Sequence, residues 1–588
     1  MYILREMRKG WDPMKKRFLS VALTALMLGS AVPLLPVTDT AVYAEEAIGS
    51  YGLLTYQIMD GEDGKYIEIT GCSPNITAVI IPDEIEGLPV KSIGEFAFGY
   101  DSSLADVTIP ESVTSIGAKA FSGTVWLEEQ RKKDPLVIVN GILIDAQTTK
   151  GDAVIPDSVT SIGHEAFTSC KELTSVTIPN TVTSIGDGAF CGCYLLTSFT
   201  IPDSVTRIGS QVFWDCEALT EIHIPESVTS FGNRPFELTP WLKARRAENP
   251  FVIVNGILID AQTAKNDVEI PDGVTRINGY AFVGCPLTSV SIPDSVKSIG
   301  MYGFSGCYNL KSVTIPDGLT DIGECAFTNC NNLKSVTIPE SVTSIGKWAF
   351  HECSALTSVT LPNSITRIEY GVFKDCRSLV SVTIPDSVTS IGSKAFAACN
   401  ALTSFTLPDS ITFMDEEVFY GCLELISVTL PKNLTTIPCG TFQNCTSLTS
   451  VTIPDSVTDI GEGAFDGCTA LRSVIIPKSV TEISPSTFYN CKTFTIYGYA
   501  DSRAESFAKE KNIPFALIGT EPAPVPGDLN GDGSVNLKDV VLLRRYIAGG
   551  WETALDEKAA DLNGDGSINL KDAVLLRRYI AGGWNITL

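Results

Sequence analysis

Two twelve-residue stretches carry the clearest chemistry in the chain. DLNGDGSVNLKD runs from Asp528 to Asp539, and DLNGDGSINLKD runs from Asp561 to Asp572. Each places oxygen-bearing side chains at positions 1, 3, 5, 9 and 12, with glycine at position 6. Calcium, a hard cation, takes about six to eight oxygens, and this spacing wraps them around one ion. In the first loop Asp528, Asn530 and Asp532 offer side-chain oxygens and Ser534 its backbone carbonyl. Asn536 acts directly or through a water, Asp539 closes the loop, and Gly533 permits the sharp turn. Asp561, Asn563, Asp565, Ser567, Asn569 and Asp572 repeat the set around Gly566. The loops start 33 residues apart and each is followed by VLLRRYIAGGW, so two bound calcium ions are expected.

Other chemistry is scarce. Three histidines (His164, His223, His351) leave little material for general base or zinc work. Of seventeen cysteines none forms a CxxC pair, which argues against structural zinc. A net charge of −25 argues against nucleic acid and against anionic membrane surfaces.

The elements that position these residues follow from repetition. A phenylalanine recurs at Phe98, Phe121, Phe167, Phe190 and onward to Phe488, in steps of 23 with a single step of 22 from Phe282 to Phe304. Sixteen of eighteen frame positions hold Phe, and the other two hold Ile144 and Ile259. Around the frame the pattern LxxVxIP-xxVxxIGxxAFxxCxxL repeats. Such a unit cannot bury its own apolar side, whereas stacked copies can, so a solenoid is predicted. LxxVxI reads as a strand ended by proline, SVTSIG as a second short extended piece, and AFxxC as a turn or short helix. Eighteen units stacked at about 4.8 Å give roughly 85 Å.

At the two exceptional positions lie related inserts, WLEEQRKKDPLVIVNGILIDAQ and WLKARRAENPFVIVNGILIDAQ. Asn140-Gly141 and Asn255-Gly256 predict hairpins there. Thirteen cysteines fall three residues after a frame position. Rungs about 5 Å apart lie within the Cα window for a disulfide, but parallel Cβ vectors bridge poorly. Buried free thiols are the preferred reading, and they fit a reducing or anaerobic habitat. Outward strand positions are nearly all Ser and Thr, as at Ser358/Thr360 and Ser450/Thr452. On that face there are no carboxylates paired at one height for glycoside hydrolysis and no column of Trp or Tyr. Glu221 and His223 form one possible polar site; a threonine ladder also admits ice binding as a minor reading.

Lys15, Lys16 and Arg17 precede an uncharged apolar run from Phe18 to Val37, then Val42-Tyr43-Ala44. A basic n-region, an apolar core and a small-residue ending read as a cleaved signal peptide over 1–44, with a membrane anchor as the alternative. Met14 is an alternative start. Removing the six positive and three negative charges of residues 1–44 takes the net charge to −28.

The repeat pattern resembles the BspA-type leucine-rich repeat family of bacterial surface and secreted proteins, over about residues 50–518. GLLTYQIMDGEDGKYIEITGC resembles its N-terminal cap, and FTIYGYADSRAESFAKEKNIPFALIG its C-terminal cap. The paired loop-plus-helix units resemble the type I dockerin; Asp528–Trp551 matches its second copy at 22 of 24 positions. That resemblance implies a pseudo-twofold module binding a cohesin on a scaffoldin, within an extracellular polysaccharide-degrading complex. It assigns recognition to Leu537, Lys538, Arg544 and Arg545, then Leu570, Lys571, Arg577 and Arg578. Leu-Lys stands where the family commonly has Ser-Thr, which leaves the cohesin type open.

The expected fold is therefore a leucine-rich repeat solenoid, β-rich with short parallel-stacked strands, plus a small all-α calcium-binding dockerin module. The expected division is signal peptide 1–44, solenoid with caps 45–519, Pro-rich linker 520–527 and dockerin 528–588. The expected function is that of a secreted, non-catalytic complex subunit whose repeats bind a protein or a surface. The alternatives are an adhesin or substrate-binding protein, or a hydrolase of unrecognised type.

Overall fold

The computed structural model describes residues 49–61, 64–518, 529, 535, 537–547, 560–562 and 567–580. The expected signal segment, the linker, most of the first calcium loop and residues 563–566 of the second lie outside the described residues. Among the described residues, no helix is long and apolar enough to cross a membrane.

Each repeat makes one rung of a β-solenoid. The LxxVxI segment gives a short strand that pairs in parallel with its counterpart one rung on, as Ser335, Ser358 and Ser381 do in register. The xSI segment makes a second parallel ladder, in which Ser184 opposes Arg207 and Arg207 opposes Ser230. Strand periodicity puts alternate side chains on opposite faces. Val313, Val336 and Val359 accordingly point inward between exposed Ser and Thr. AFxxC forms a turn, closed by bonds such as Cys193 N–H to the Phe190 carbonyl at 3.2 Å.

The frame phenylalanines build the core. Successive rings stack at 4.7–5.8 Å between centroids, within 18° of parallel. That separation follows the strand spacing, and offset stacking of this kind is favourable. The IG glycines are explained by close approach. A Cβ on Gly186 would lie 2.7 Å from the His164 backbone nitrogen, and one on Gly346 would lie 2.5 Å from that of Glu324.

The inserts replace a turn with a helix and a hairpin. Helix α1 spans Val125–Lys133 and helix α2 spans Pro240–Glu248. Thr124 caps α1, its hydroxyl accepting from Leu127 N–H at 3.1 Å and donating to the Phe121 carbonyl at 2.7 Å. Thr239 does the same for α2. Trp126 and Trp241 lie at 4.6 Å and 4.7 Å from Phe121 and Phe236, filling space beyond the last ring. The hairpins form where Asn-Gly predicted them, joining Val137–Val139 to Ile142–Asp145 and Val252–Val254 to Ile257–Asp260. Ile144 and Ile259 do not occupy the place of the ring. Ala146 and Ala261 do, donating N–H to Ala166 and Ala281 as frame phenylalanines do to the next rung. The extra hairpin residues shift the count before the turn.

Buried ion pairs lock each insert. Arg131 meets Asp145 through two bonds of 2.8 and 2.6 Å, and Arg246 meets Asp260 identically. Asn140 and Asn255 each donate two bonds to carbonyls of the preceding rung, where the SI ladder breaks. The core divides at these joints into three clusters, Leu54 to Ile142, Leu143 to Ile259 and Leu258 to Ala508.

Both ends are covered. The antiparallel strands Leu54–Gly61 and Gly64–Cys72 begin the stack, the second pairing in parallel with Leu88–Ile93. Helix α3, Arg503–Lys511, sets Phe507 at 6.0 Å from the last ladder ring, Phe488. Capping hides strand edges and apolar core that an open end would expose.

Helices α4, Leu537–Ile547, and α5, Leu570–Ile580, belong to a separate small core. Leu529, Val540 and Leu543 meet Leu562, Ala573 and Leu576 there, each pair 33 residues apart.

Candidate functional site

Both calcium loops bury their last residue. Asp539 and Asp572 are fully buried, although they are carboxylates. A buried charge needs compensating partners. Asp539 Oδ1 accepts from Leu529 N–H at 2.9 Å, and Asp572 Oδ1 accepts from Leu562 N–H at 3.0 Å. Position 12 is thereby tied to position 2, which brings the two ends of each loop together. In the second loop Asp572 Oδ2 also accepts from Asn569 N–H at 2.9 Å. Asn569 Nδ2 lies 2.8 Å from the Ser567 carbonyl, so the groups expected at positions 7 and 9 converge. This all-oxygen donor set fits calcium. Asp528, Asn530, Asp532, Ser534, Asn536, Asn563 and Asp565 lie outside the described residues.

The residues expected to contact a cohesin sit at the start and middle of α4 and α5. Lys538, Arg544, Leu570, Lys571 and Arg577 are exposed. The side chains of Leu537, Arg545 and Arg578 lie outside the described set. Sequence reasoning missed Val541 and Val574, exposed at 53% and 50% despite being apolar. Spacing of three and four residues puts Leu570, Val574 and Arg577 on one helix face.

The cysteines bond to the ladder. Cys193, Cys353 and Cys422 each direct their thiol at the carbonyl of the frame phenylalanine one rung before, at 3.2–3.3 Å. Cys170 and Cys285 use Ala146 and Ala261 instead. No disulfide forms among the described cysteines. Burial pushes Cys170 up to about 11 and Cys353 and Cys422 up to about 12, so the thiols stay protonated at neutral pH.

On the strand face Glu221 and His223 are exposed beside Ser198 and Thr200. His351, Glu352 and Asp375 place possible ligand atoms within 4.8 Å of one another. Lys374 Nζ already sits 2.8 Å from Asp375 Oδ2, and Arg377 stands 3.3 Å from Oδ1, so resident cations fill that role. Burial and Lys374 hold His351 below its ordinary pKa.

The turn face was not anticipated. Two residues before and two residues after nearly every frame phenylalanine, the backbone enters the left-handed region, as at Gln211 (φ 54°), Asp215 (φ 61°), Tyr280 (φ 65°) and Trp348 (φ 60°). Tyr280 and Tyr302 stack at 4.9 Å, with the Arg234 guanidinium 4.4 Å over the other side of Tyr280.

Comparison with known proteins agrees with this geometry. The family model described as "BspA type Leucine rich repeat region" matches residues 70–136, 147–253, 261–380 and 366–495. That described as "Dockerin type I domain" matches 526–581. No curated protein matches. Among solved structures, a leucine-rich repeat protein from Bacteroides ovatus is 24% identical, over 73% of this chain and 95% of its own, with a TM-score of 0.31. A leucine-rich cell surface protein from Faecalibacterium prausnitzii is 25% identical, over 80% and 97%, with a TM-score of 0.28. A leucine-rich repeat protein from Eubacterium ventriosum is 22% identical, over 71% and 93%, with a TM-score of 0.31. Type I dockerin domains bind calcium and typically bind cohesins, and neither module type is catalytic. With well over half of its length matched by the repeat model, this chain belongs to the BspA-type leucine-rich repeat family and carries a type I dockerin domain near its C-terminal end.

Proposed function

We propose that this protein is a secreted, non-catalytic subunit of an extracellular complex that degrades polysaccharide. Its signal peptide (1–44) directs export, and its solenoid (45–519) is joined by a Pro-rich linker (520–527) to the dockerin (528–588). Two calcium ions, one in each loop, hold the dockerin in its folded form, since loops of this kind rarely form without metal. The dockerin then docks on a cohesin of a scaffoldin through Leu537, Lys538, Arg544 and Arg545, or through Leu570, Lys571, Arg577 and Arg578. The near-identity of the two halves supports either orientation. The solenoid is displayed for recognition of a protein or a surface. The observation that carries this reading is the paired loop-and-helix core, whose buried residues repeat at 33.

Docking is tested by pull-down of the full chain on immobilised type I cohesins, with calcium and with excess chelator. Capture only with calcium supports the reading, and capture retained in chelator refutes it. Release of sugar from plant polysaccharides by the purified chain would refute the non-catalytic part.

A further inference from the structure

The turn face holds a cleft of about 640 Å³ lined from seven turns, between Glu95 and Tyr280. That volume is typical of clefts that hold small ligands, and its length along the stack suits a chain. The left-handed position two residues before the frame phenylalanine is glycine at Gly188, Gly371, Gly440 and Gly463. Glycine takes this conformation at no steric cost. Gln211, Arg234 and Tyr280 take it at φ 54°, 49° and 65°.

The cleft lining is mixed. Trp214 is half-buried, and its indole has no ring, cation or hydrogen-bond partner among the described residues. Gln211 is exposed in the same turn, and Glu95 is exposed several rungs away at the end of the same cleft. Asp187 is fixed by Ser210 N–H at 2.6 Å, with 54% of its side chain exposed. Charge nearly balances: Lys119 pairs with Glu165, and Arg234 lies over Tyr280. Glu95 has no basic side-chain partner among the described residues and Asp187 has only His164, at 3.6 Å, so the cleft does not select a strongly charged polymer.

We propose that this cleft binds a neutral glycan chain. The indole of Trp214 stacks on the C–H face of one pyranose, Asp187 and Gln211 pair with its hydroxyls, and Glu95 pairs with those of a sugar further along the chain. A sugar ring offers both surfaces at once, an apolar face and a rim of hydroxyls. An extended chain advances along the turns at close to one sugar per rung. The site is independent of the calcium module, so failure of either leaves the other standing.

The test is affinity gel electrophoresis of the full chain through soluble β-1,4-glucan, xylan and mannan. At least one glycan is expected to retard the protein. Trp214→Ala should weaken that retardation about ten-fold, and Glu95→Ala, an exposed and unpaired site, should weaken it several-fold. Thr360→Ala on the strand face should leave it unchanged. Circular dichroism establishes that each variant is folded. Absence of retardation by all three glycans overturns the proposal, as does equal retardation of Trp214→Ala. Binding of a basic peptide alone through the same residues also overturns it.

Discussion

Thiols and carboxylates dominate at the residue scale. Folding raises the thiol pKa, because burial penalises the thiolate. The stabilisation is complete below the unfolded value of about 8.5 and is lost as pH rises toward about 12 for Cys353 and Cys422. The melting temperature should therefore fall steeply above about pH 9. A variant with Cys353, Cys399 and Cys422 changed to Ala should fall less steeply. A thermal scan across pH 7–11 checks this, and equal slopes would contradict it. At the calcium loops, Asp572→Ala removes the buried closing carboxylate. Calcium affinity at that loop should drop more than about ten-fold, with the other loop intact, as read by calorimetric titration.

The column of cysteines was legible because spacing alone reveals it. Its thiol-to-carbonyl bonds were not, since a sequence gives residue types and not where a neighbouring carbonyl points. The turn-face positions were missed for a related reason. Glycine and asparagine signal a left-handed backbone, but Arg234, Tyr280 and Trp348 conceal one.

At the scale of elements, rungs and inserts differ in what holds them. A rung depends on its ring. Phe350→Ala leaves a cavity between Phe327 and Phe373 and should cost about 3–5 kcal/mol in denaturant unfolding. An insert depends on its ion pair. Arg246→Met strands the buried Asp260 carboxylate and should cost about 3–5 kcal/mol. Adding Asp260→Leu should recover most of that loss, because replacing both partners removes the orphaned charge. No recovery in the double variant would contradict this.

The hairpins were readable from Asn-Gly, and the parallel ladders from the 23-residue period. Helices α1 and α2 were not predicted. Nine residues are too few for stability from propensity, and these helices stand on the Thr124 and Thr239 caps and on buried Trp126 and Trp241. The place of Ala146 and Ala261 was misread because counting by 23 ignores the residues that a hairpin adds.

At the scale of the molecule, one repeat supplies most of the chain and most of its charge. Residues 527–588 hold nine acids and seven bases, so all but −2 of the net −25 resides elsewhere. The dockerin core is small, with seven buried apolar residues among those described, and cannot replace the metal's contribution. Chelation should abolish helical signal from α4 and α5 and leave the β-signal of the solenoid, whose core is separate. Fold and module order were legible because both signals are periodic. The proposed turn-face site was not, because it lies on turns where each rung differs.

The most direct measurement is calorimetric titration of the full chain with a panel of type I cohesins, in calcium and in excess chelator. Calcium-dependent docking requires one cohesin bound per chain in calcium and no binding in chelator. Tight binding that persists in chelator, or no binding to any cohesin with calcium present, would contradict it.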